Sequence, residues 1–291
     1  MEKKLKKIMP IDLVKMKKRG EKIVMITAYD YPTARLVDEA GVDAILVGDS
    51  LGMVVLGYDS TLPVTMDEML HHVKAVARAK PRALVIGDMP FLSYEVSISE
   101  AVHNAGLMIK AGAEAVKIEG GVEVVDKVEA MVKAGIPVMG HVGLTPQRML
   151  KIGGYKLKGK KIEIAEKIID DAKALEDAGA FAVVIEFTVA EVAKIITEKL
   201  SIPTICIGSG PWCDGQVLVI HDILGLTPNP PPFAKKYVDL SKIILDAVKR
   251  YTSEVKTGIF PSEEHTKHMS REEYEELLKR IAKSEHDNNM G

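Results

Sequence analysis

Four acidic residues end short apolar segments of this 291-residue chain. Asp49, Glu119 and Glu186 follow Ala-Gly and an apolar run in the segments AGVDAILVGDS, AGAEAVKIEGG and AGAFAVVIEFT, and Asp88 ends another apolar run. Glycine suits the left-handed residue that ends a helix, and apolar runs of this length suit buried parallel strands. Because the carboxyl ends of parallel strands point to one face of an α/β fold, we expect these acids to gather there.

Three of these carboxylates would repel one another unless a cation lay among them. Asp49, Asp88 and Glu119 end the second, third and fourth predicted strands, and neighbouring strands lie about 4.8 Å apart. Oxygen ligands without cysteine or histidine favour Mg²⁺, which binds one or two carboxylates directly and keeps water or substrate oxygens. We therefore predict a magnesium site formed by these acids, directly or through water. The sequence leaves open an ion-pair network with Lys117 and surface bases.

The residue spacing of the fourth strand places a lysine beside this site. Lys117 and Glu119 are two residues apart, so they share one face of the strand, and Val116 and Ile118 share the other. If the apolar pair faces the surrounding helices, the charged pair faces inward. Lys117 would then offer a positive charge to an anionic substrate or a developing enolate. The alternative is that it only neutralises Glu119.

Two further polar residues end the fifth and sixth predicted strands. Glu186 has Phe181 and Phe187 nearby in the sequence, and a carboxylate backed by these rings and away from the cation could act as a general base. A salt bridge or a helix cap is the alternative role. His141 could orient a substrate or bind a carboxylate, and a hydrogen-bonded structural histidine is an equally good interpretation.

The elements that must position these residues alternate along the chain. The predicted strands are Ile23–Thr27, Ala44–Gly48, Ala83–Gly87, Ala115–Ile118, Pro137–Gly140, Ala182–Ile185, Thr204–Ile207 and Val217–Ile220. Amphipathic stretches of helical length separate most of them, which favours an α/β fold with a parallel sheet closed as a (β/α)8 TIM barrel. A doubly wound sheet is the alternative, although no GxGxxG follows the first strand.

The predicted organisation is one domain over residues 1–291. The barrel covers about 22–255, after a short helix at 10–20, and a charged helical tail covers 258–291. We see no linker long enough to separate a second domain.

Composition excludes several classes of function. A net charge of −2 gives no electrostatic reason to expect binding to nucleic acid or to an anionic membrane. No apolar run approaches the roughly 20 residues that span a bilayer, and the basic start lacks the apolar core of a secretory signal. We therefore expect a cytoplasmic protein, in which Cys206 and Cys213 are buried or near-site thiols rather than a disulfide framework or a zinc motif.

Six segments of the chain, which include most of the predicted site residues, resemble those of a known enzyme family. The segments are ITAYDYPTARLVDEAG, VGDSLGMVVLGYDSTLPVTMDEMLHHVKAV, GDMPF, VKIEGG, PVMGHVGLTPQ and CDGQVLVIHDILGL. They occur in this order over about residues 22–237 and are similar to those of ketopantoate hydroxymethyltransferases. The combination of VGDSLGM with TLPVT is specific to that family.

The resemblance implies a cytoplasmic, Mg²⁺-dependent TIM barrel. It implies transfer of a hydroxymethyl group from 5,10-methylenetetrahydrofolate, or a methanopterin analogue, to 3-methyl-2-oxobutanoate, the first step towards pantothenate and coenzyme A. It also implies a homo-oligomer, with the decamer typical of the family.

The same resemblance implies roles for individual residues. The metal residues would be Asp49, Asp88 and Glu119, and the proton acceptor would be Glu186. The residues that bind the keto acid would be Asp49, Ser50, Asp88 and Lys117, with His141 near the substrate.

The alternative function is that of a Mg²⁺-dependent lyase acting on 2-oxo acids, of the phosphoenolpyruvate mutase and isocitrate lyase type. Such a lyase would share the enolate chemistry but would break a C–C bond without a pterin. These lyases commonly carry a catalytic cysteine in a loop at the mouth of the barrel. No cysteine precedes Cys206 in this chain, which disfavours this alternative.

Overall fold

Eight parallel strands close into a barrel in the computed structural model, which describes residues 6–288. The strands are β1 (Ile23–Thr27), β2 (Ala44–Val47), β3 (Leu84–Asp88), β4 (Ala115–Glu119), β5 (Val138–Gly143), β6 (Ala182–Glu186), β7 (Thr204–Ile207) and β8 (Gly215–Leu218). They follow one another around the barrel in chain order, and β8 pairs with β1. The TIM barrel predicted from the sequence is confirmed.

Helices connect most of the strands. They are α1 (Pro10–Arg19), α2 (Tyr31–Glu39), α3 (Leu51–Val54), α4 (Met66–Ala77), α5 (Ile98–Ala111), α6 (Val125–Lys133), α7 (Met149–Ile152), α8 (Ile162–Asp177), α9 (Ala190–Lys199), α10 (Ile220–Ile223), α11 (Leu240–Lys256) and α12 (Arg271–Asn288). The connection from β7 to β8 contains no helix. The last strand begins at Gly215 rather than at the predicted Val217, because the apolar run VLVI continues past the strand into α10.

Alternation along the strands separates two apolar layers. One set of side chains, including Val116 and Ile118, packs between the barrel and its helices. The other set, including Leu46, Ile86 and Met139, fills the barrel interior. This is the two-residue period that the sequence predicted for β4.

The barrel interior is apolar at the amino end of the strands and polar at the carboxyl end. Ala115 faces the interior core, and Lys117 and Glu119 continue the same face of β4. Leu13 of α1 is fully buried in the interior cluster, with Met16 packed against it. The short amino-terminal helix thus contributes apolar side chains to the core, and the polar groups are left at the other end.

Cys206 and Cys213 form a disulfide, so the prediction of free thiols was wrong. Both residues are buried as expected. The chain returns from β7 to the neighbouring strand without an intervening helix, and this brings the two Cα atoms to 5.7 Å apart, within the usual range for a disulfide. The sequence indicated a short loop between the two strands, but spacing alone did not show that this loop folds Cys213 back onto Cys206.

The described chain divides into two compact units, one up to Val238 and one from Asp239 onwards. The second unit contains α11 and α12. A single domain over residues 1–291 stays a prediction. Within residues 6–288, no helix combines the length and the apolar composition needed to cross a bilayer.

Glu176 joins the end of α8 to the segment before β7. Its Oε1 accepts hydrogen bonds from the backbone nitrogen of Ser201 at 2.6 Å and from the Ser201 hydroxyl at 2.7 Å. Its Oε2 lies 2.8 Å from Lys173 Nζ, and the Glu176 side chain is only 11% exposed. Burial alone would raise the pKa of Glu176, but hydrogen bonds from Lys173 and Ser201 lower it to about 2.

Replacing Glu176 with Gln is expected to lower the free energy of unfolding by about 1–3 kcal/mol at pH 7, because Ser201 and Lys173 lose a charged hydrogen-bond acceptor. The pKa of Glu176 is lower in the folded state, so its contribution is present above the unfolded value of about 4.3 and is lost as the pH falls towards 2. Denaturant unfolding at pH 7 and pH 3 measures both effects.

Glu198→Gln is the matched control, because Glu198 is 65% exposed and lies 3.9 Å from Lys194. We expect it to change stability by less than about 0.5 kcal/mol. Equal losses in the two variants at pH 7 would contradict the role assigned to Glu176.

Candidate active site

A cavity of about 450 Å³ lies at the carboxyl ends of the strands. The site residues predicted from the sequence all line it, namely Asp49, Ser50, Asp88, Lys117, Glu119, His141 and Glu186. Most of these side chains continue the inward face of a strand, and Asp49 and Ser50 follow β2. The fold therefore brings together side chains that are up to 137 residues apart in the chain.

Lys117 and Asp88 form a buried ion pair. Lys117 Nζ donates to Asp88 Oδ1 at 2.7 Å, and the two side chains are 5% and 2% exposed. The pair forms because strand register sets the two residues side by side on β3 and β4. Burial would lower the pKa of Lys117, but Asp88, Glu119 and Asp49 raise it above its ordinary value. Lys117 therefore stays charged inside the cavity.

Asp49 is buried among other acids. Burial raises its pKa well above the ordinary value, and repulsion from Asp88 and Glu119 adds to the increase. Lys117 and a hydrogen bond from Gln147 act in the opposite direction. The pKa of Asp88 is also raised, first by burial, although Lys117 opposes that change. The buried acids at this end of the barrel therefore disfavour one another's charged forms.

His141 lies between two carboxylates, a relationship that sequence reasoning did not identify. Its Nδ1 is 3.3 Å from Glu119 Oε1, and its Nε2 is 3.2 Å from Glu186 Oε2. Neither contact has the direction of a hydrogen bond, so the interaction is electrostatic. Burial and Lys117 lower the pKa of His141, but Glu119 and Glu186 outweigh them and raise it to about 9. At neutral pH His141 is therefore an imidazolium.

The surroundings of Glu186 differ in part from those expected. Glu186 is linked to Glu119 through His141, because β4, β5 and β6 are neighbours, and its place away from the cation stays a prediction. We also expected Phe181 to back the Glu186 carboxylate. Phe181 instead precedes β6 and packs against the interior core, whereas Glu186 ends that strand.

Gln147 is a second buried residue that the sequence analysis did not single out. Its Nε2 donates to Asp49 Oδ2 and to the carbonyl oxygen of Met89, both at 2.9 Å. Its backbone nitrogen donates to Glu119 Oε2 at 3.1 Å, and its Oε1 accepts from the Tyr94 hydroxyl at 2.7 Å. Gln147 thus fixes two of the acids. A polar residue directly after the strand-end segment HVGLTP was the available signal.

Ser50 is held by a neighbouring strand end. The Tyr29 hydroxyl lies 2.9 Å from Ser50 Oγ, and Tyr29 itself is buried. Burial raises the pKa of Tyr29 above its ordinary range, so the phenol stays neutral. The Ser50 hydroxyl is thereby positioned at the edge of the cavity.

Among residues 6–288, no three His, Cys, Asp or Glu side chains are arranged to hold a metal ion. Several acid oxygens point to protein partners instead, as Asp88 does to Lys117 and Glu119 does to His141. The ion-pair network considered as an alternative is therefore present. This network does not balance the charge. With all groups ionised, the four predicted acids carry four negative charges, and Lys117 and His141 supply only two positive ones.

The carboxylates of Asp49 and Asp88 fit a divalent cation in that they lie close together. Mg²⁺ binds one or two carboxylates directly and completes its coordination with water or substrate. Asp49 and Asp88 are adjacent, since the Asp49 backbone nitrogen is 3.3 Å from Asp88 Oδ2. Glu119 is engaged by His141 and Gln147, which suits a contact through water. The metal roles of Asp49, Asp88 and Glu119 stay a prediction.

Comparison with known proteins identifies relatives over most of the chain. Residues 7–263 match the family described as ketopantoate hydroxymethyltransferase. A protein named 3-methyl-2-oxobutanoate hydroxymethyltransferase from Staphylothermus marinus is 66% identical, covering 93% of this chain and all of that protein. A protein of the same name from Ignicoccus hospitalis is 67% identical, covering 89% of this chain and 98% of the relative.

Solved structures of other enzymes share the fold. A phosphonopyruvate hydrolase aligns with a TM-score of 0.61 at 13% identity, covering 97% of this chain and 96% of the other. A 2,3-dimethylmalate lyase of the phosphoenolpyruvate mutase and isocitrate lyase superfamily aligns with a TM-score of 0.57 at 18% identity, covering 97% and 98%. At these identities the likeness concerns the barrel and not its chemistry.

Replacing Gln147 with Leu is expected to lower the free energy of unfolding by about 2–3 kcal/mol. The substitution removes the donors to Asp49 and to the Met89 carbonyl, and each unsatisfied buried group costs about 1–3 kcal/mol. Chemical denaturation at neutral pH measures the change.

Gln216→Leu provides the comparison, because Gln216 is exposed and donates one hydrogen bond to Gly210 at 3.0 Å. If Gln147→Leu proved no more destabilising than this control, Gln147 would not be fixing the acids.

Proposed function

Since the chain belongs to the ketopantoate hydroxymethyltransferase family and is therefore a hydroxymethyl-transferring enzyme, we propose that its substrate is 3-methyl-2-oxobutanoate. The product is 2-dehydropantoate, and the reaction is the first step of pantothenate and coenzyme A synthesis. The donor is 5,10-methylenetetrahydrofolate, or a methanopterin analogue. The observation that carries this proposal is that the Asp88–Lys117 pair and the His141–Glu186 contact line the same cavity.

The keto acid is an anion with two oxygen-bearing groups next to each other. Lys117 retains its positive charge in the cavity and would face the carboxylate and the 2-keto oxygen of the substrate. Ser50, oriented by Tyr29, would donate a hydrogen bond to the substrate carboxylate. Asp49 and Asp88 would hold Mg²⁺, with Glu119 acting through water. When bound, the ion supplies Lewis-acid polarisation of the keto group.

Glu186 is the proposed general base. Its side chain is 15% exposed and lines the cavity, so it can reach a substrate, and His141 holds one of its oxygens. Glu186 takes the proton from C3, and Lys117 stabilises the negative charge that develops on the keto oxygen. Water attacks the methylene carbon of the donor and both C–N bonds of that carbon break, so the two donor nitrogens take up the protons of the water and the carbon is released at the oxidation level of formaldehyde. The electron pair of the broken C3–H bond forms the new C–C bond to this carbon, the proton held by Glu186 passes to the resulting alkoxide, and the donor leaves as the reduced pterin.

The setting of the enzyme is also part of the proposal. We assign it to the cytoplasm, acting on small molecules rather than on nucleic acid or membrane. Apolar side chains exposed on α11, including Ile243, Leu245 and Val248, support assembly into a homo-oligomer, with a decamer as the expected size.

Glu186→Gln is expected to slow exchange of the C3 hydrogen of 3-methyl-2-oxobutanoate into heavy water by about 10²–10⁴-fold. Binding of the keto acid should stay nearly unchanged, because Gln keeps the shape of the side chain. Proton NMR follows the exchange, and calorimetry follows the binding. The control is Glu191→Gln, since Glu191 is exposed on α9. Exchange at the normal rate in the Glu186 variant would remove this residue from the base role.

Asp49→Asn separates the charge of this residue from its hydrogen bond. The amide oxygen can still accept from Gln147, while repulsion from Asp88 and Glu119 disappears. Without Mg²⁺ we expect the variant to melt at the same temperature as the unmodified protein or higher. Added Mg²⁺ should raise the melting temperature of the unmodified protein, because the ligand binds only the folded state.

The variant should show a much smaller rise with Mg²⁺, and Asp126→Asn, at a 51% exposed position, should behave as the unmodified protein does. An equal rise in all three proteins would exclude Asp49 as a metal residue.

A further inference from the structure

The cavity has two chemically different halves. The acids, Lys117 and His141 come from the strands β2 to β6 or directly follow them, and an apolar part of the wall comes from the segments that follow β6 and β8. That wall is formed by Phe187, Phe233, Pro231, Pro232 and Asp222, which all line the cavity. We call these five residues the aromatic wall. The mechanism above uses none of them.

Phe187 faces the cavity because of its backbone conformation. Its φ is +41°, a left-handed value that is rare and strained for a bulky residue. Strand alternation would direct it away from Glu186, yet both residues line the cavity. Two hydrogen bonds hold the backbone, from its nitrogen to Ile207 O at 2.8 Å and from Lys158 N to its oxygen at 2.9 Å. Strain of this kind persists only where surrounding structure enforces it.

Phe233 packs against the same part of the mouth. Its ring centroid lies 5.5 Å from that of Phe187, at an interplanar angle of 50°. Gly208, at φ +65°, lies directly beneath the ring, and a Cβ at this position would come within 2.5 Å of Phe233 Cδ1. The two rings and the adjacent prolines therefore present a rigid apolar surface next to Glu186.

Asp222 adds a carboxylate to this surface. It lies in α10, directly after β8, and is only 5% exposed. A pterin ring carries a 2-amino group beside a ring N–H, two adjacent donors that match the two oxygens of one carboxylate. Its flat face can stack on aromatic side chains.

Size is consistent with a second ligand. Pockets for drug-sized ligands measure about 300–1,000 Å³, and this cavity of about 450 Å³ exceeds what the five-carbon keto acid fills. The general base lies on β6, between the charged half and the aromatic wall. A donor bound on the wall would therefore present its one-carbon unit on the side where C3 loses its proton.

We propose that the aromatic wall binds the pterin ring of the one-carbon donor, with stacking on Phe187 and Phe233 and pairing to Asp222. This inference depends on the proposed function, which names the donor. It adds a binding site whose residues differ from those of the keto-acid site.

Two assays test the wall separately from the overall function. The first measures the KM for 5,10-methylenetetrahydrofolate in the complete reaction. The second measures C3–H exchange of the keto acid into heavy water, with Mg²⁺ and without donor. Phe233→Leu keeps an apolar side chain but loses the π-face, and Asp222→Asn keeps the shape but loses the charge.

Each variant is expected to raise the donor KM about tenfold or more, since stacking and charged hydrogen bonds each contribute on that scale. The exchange rate and the keto-acid KM should stay within about twofold of those of the unmodified enzyme. Retained exchange also shows that each variant is folded. Phe91→Leu and Asp59→Asn are matched controls, because both residues are exposed and do not line the cavity, and neither should change the donor KM.

An unchanged donor KM in Phe233→Leu and Asp222→Asn would overturn the wall as the pterin site. A decrease in the C3–H exchange rate as large as the increase in the donor KM would overturn it as well. The residues would then contribute to binding or reaction of the keto acid. Absence of both exchange and product in the unmodified enzyme would instead contradict the proposed function. Exchange without product from tetrahydrofolate or methanopterin donors would contradict the transfer reaction and, with it, the pterin site.

Discussion

Excess negative charge at one end of the barrel is the constraint on which the site depends. Along β4, one inward face passes from Ala115 to Lys117 and Glu119, so the interior changes from apolar to ionic within a single strand. Asp49 shows the consequence, because burial and neighbouring acids raise its pKa well above the ordinary value. A bound cation or a protonated acid must relieve this repulsion, and the first of these would couple charge balance to substrate binding.

The rest of the barrel stabilises the buried acids. Leu13 and the interior core fill the amino end, so the acids do not face a second polar opening. Buried acids are costly unless they are paired and hydrogen-bonded, and Lys117, His141 and Gln147 provide partners from β4, β5 and the turn after β5. Because these partners lie on regular strands or directly after them, the position of each carboxylate follows from strand register and packing rather than from mobile loops.

Much of this could be predicted from local sequence. The repeated Ala-Gly-strand-acid unit indicated the parallel strands, and the two-residue spacing of Lys117 and Glu119 indicated their shared inward face. What was missed depends on how side chains of neighbouring strands and loops meet in space. The bridge through His141 follows from the order β4, β5, β6 around the barrel, and the disulfide between Cys206 and Cys213 follows from a connection without a helix. The predicted barrel made these strands neighbours, but local patterns did not show which of their side chains would meet.

The position of Glu186 links the two halves of the cavity. In the proposed reaction, the base must lie beside the charged groups proposed to hold the keto acid, and also beside the surface proposed to bind the donor. β6 meets both conditions, because His141 contacts Glu186 from β5 while Phe187, the next residue, turns into the cavity through its left-handed backbone. Without that conformation, strand alternation would direct Phe187 outwards and leave the base next to charged groups alone. The left-handed conformation of Phe187 therefore places the proposed base and the proposed donor surface side by side.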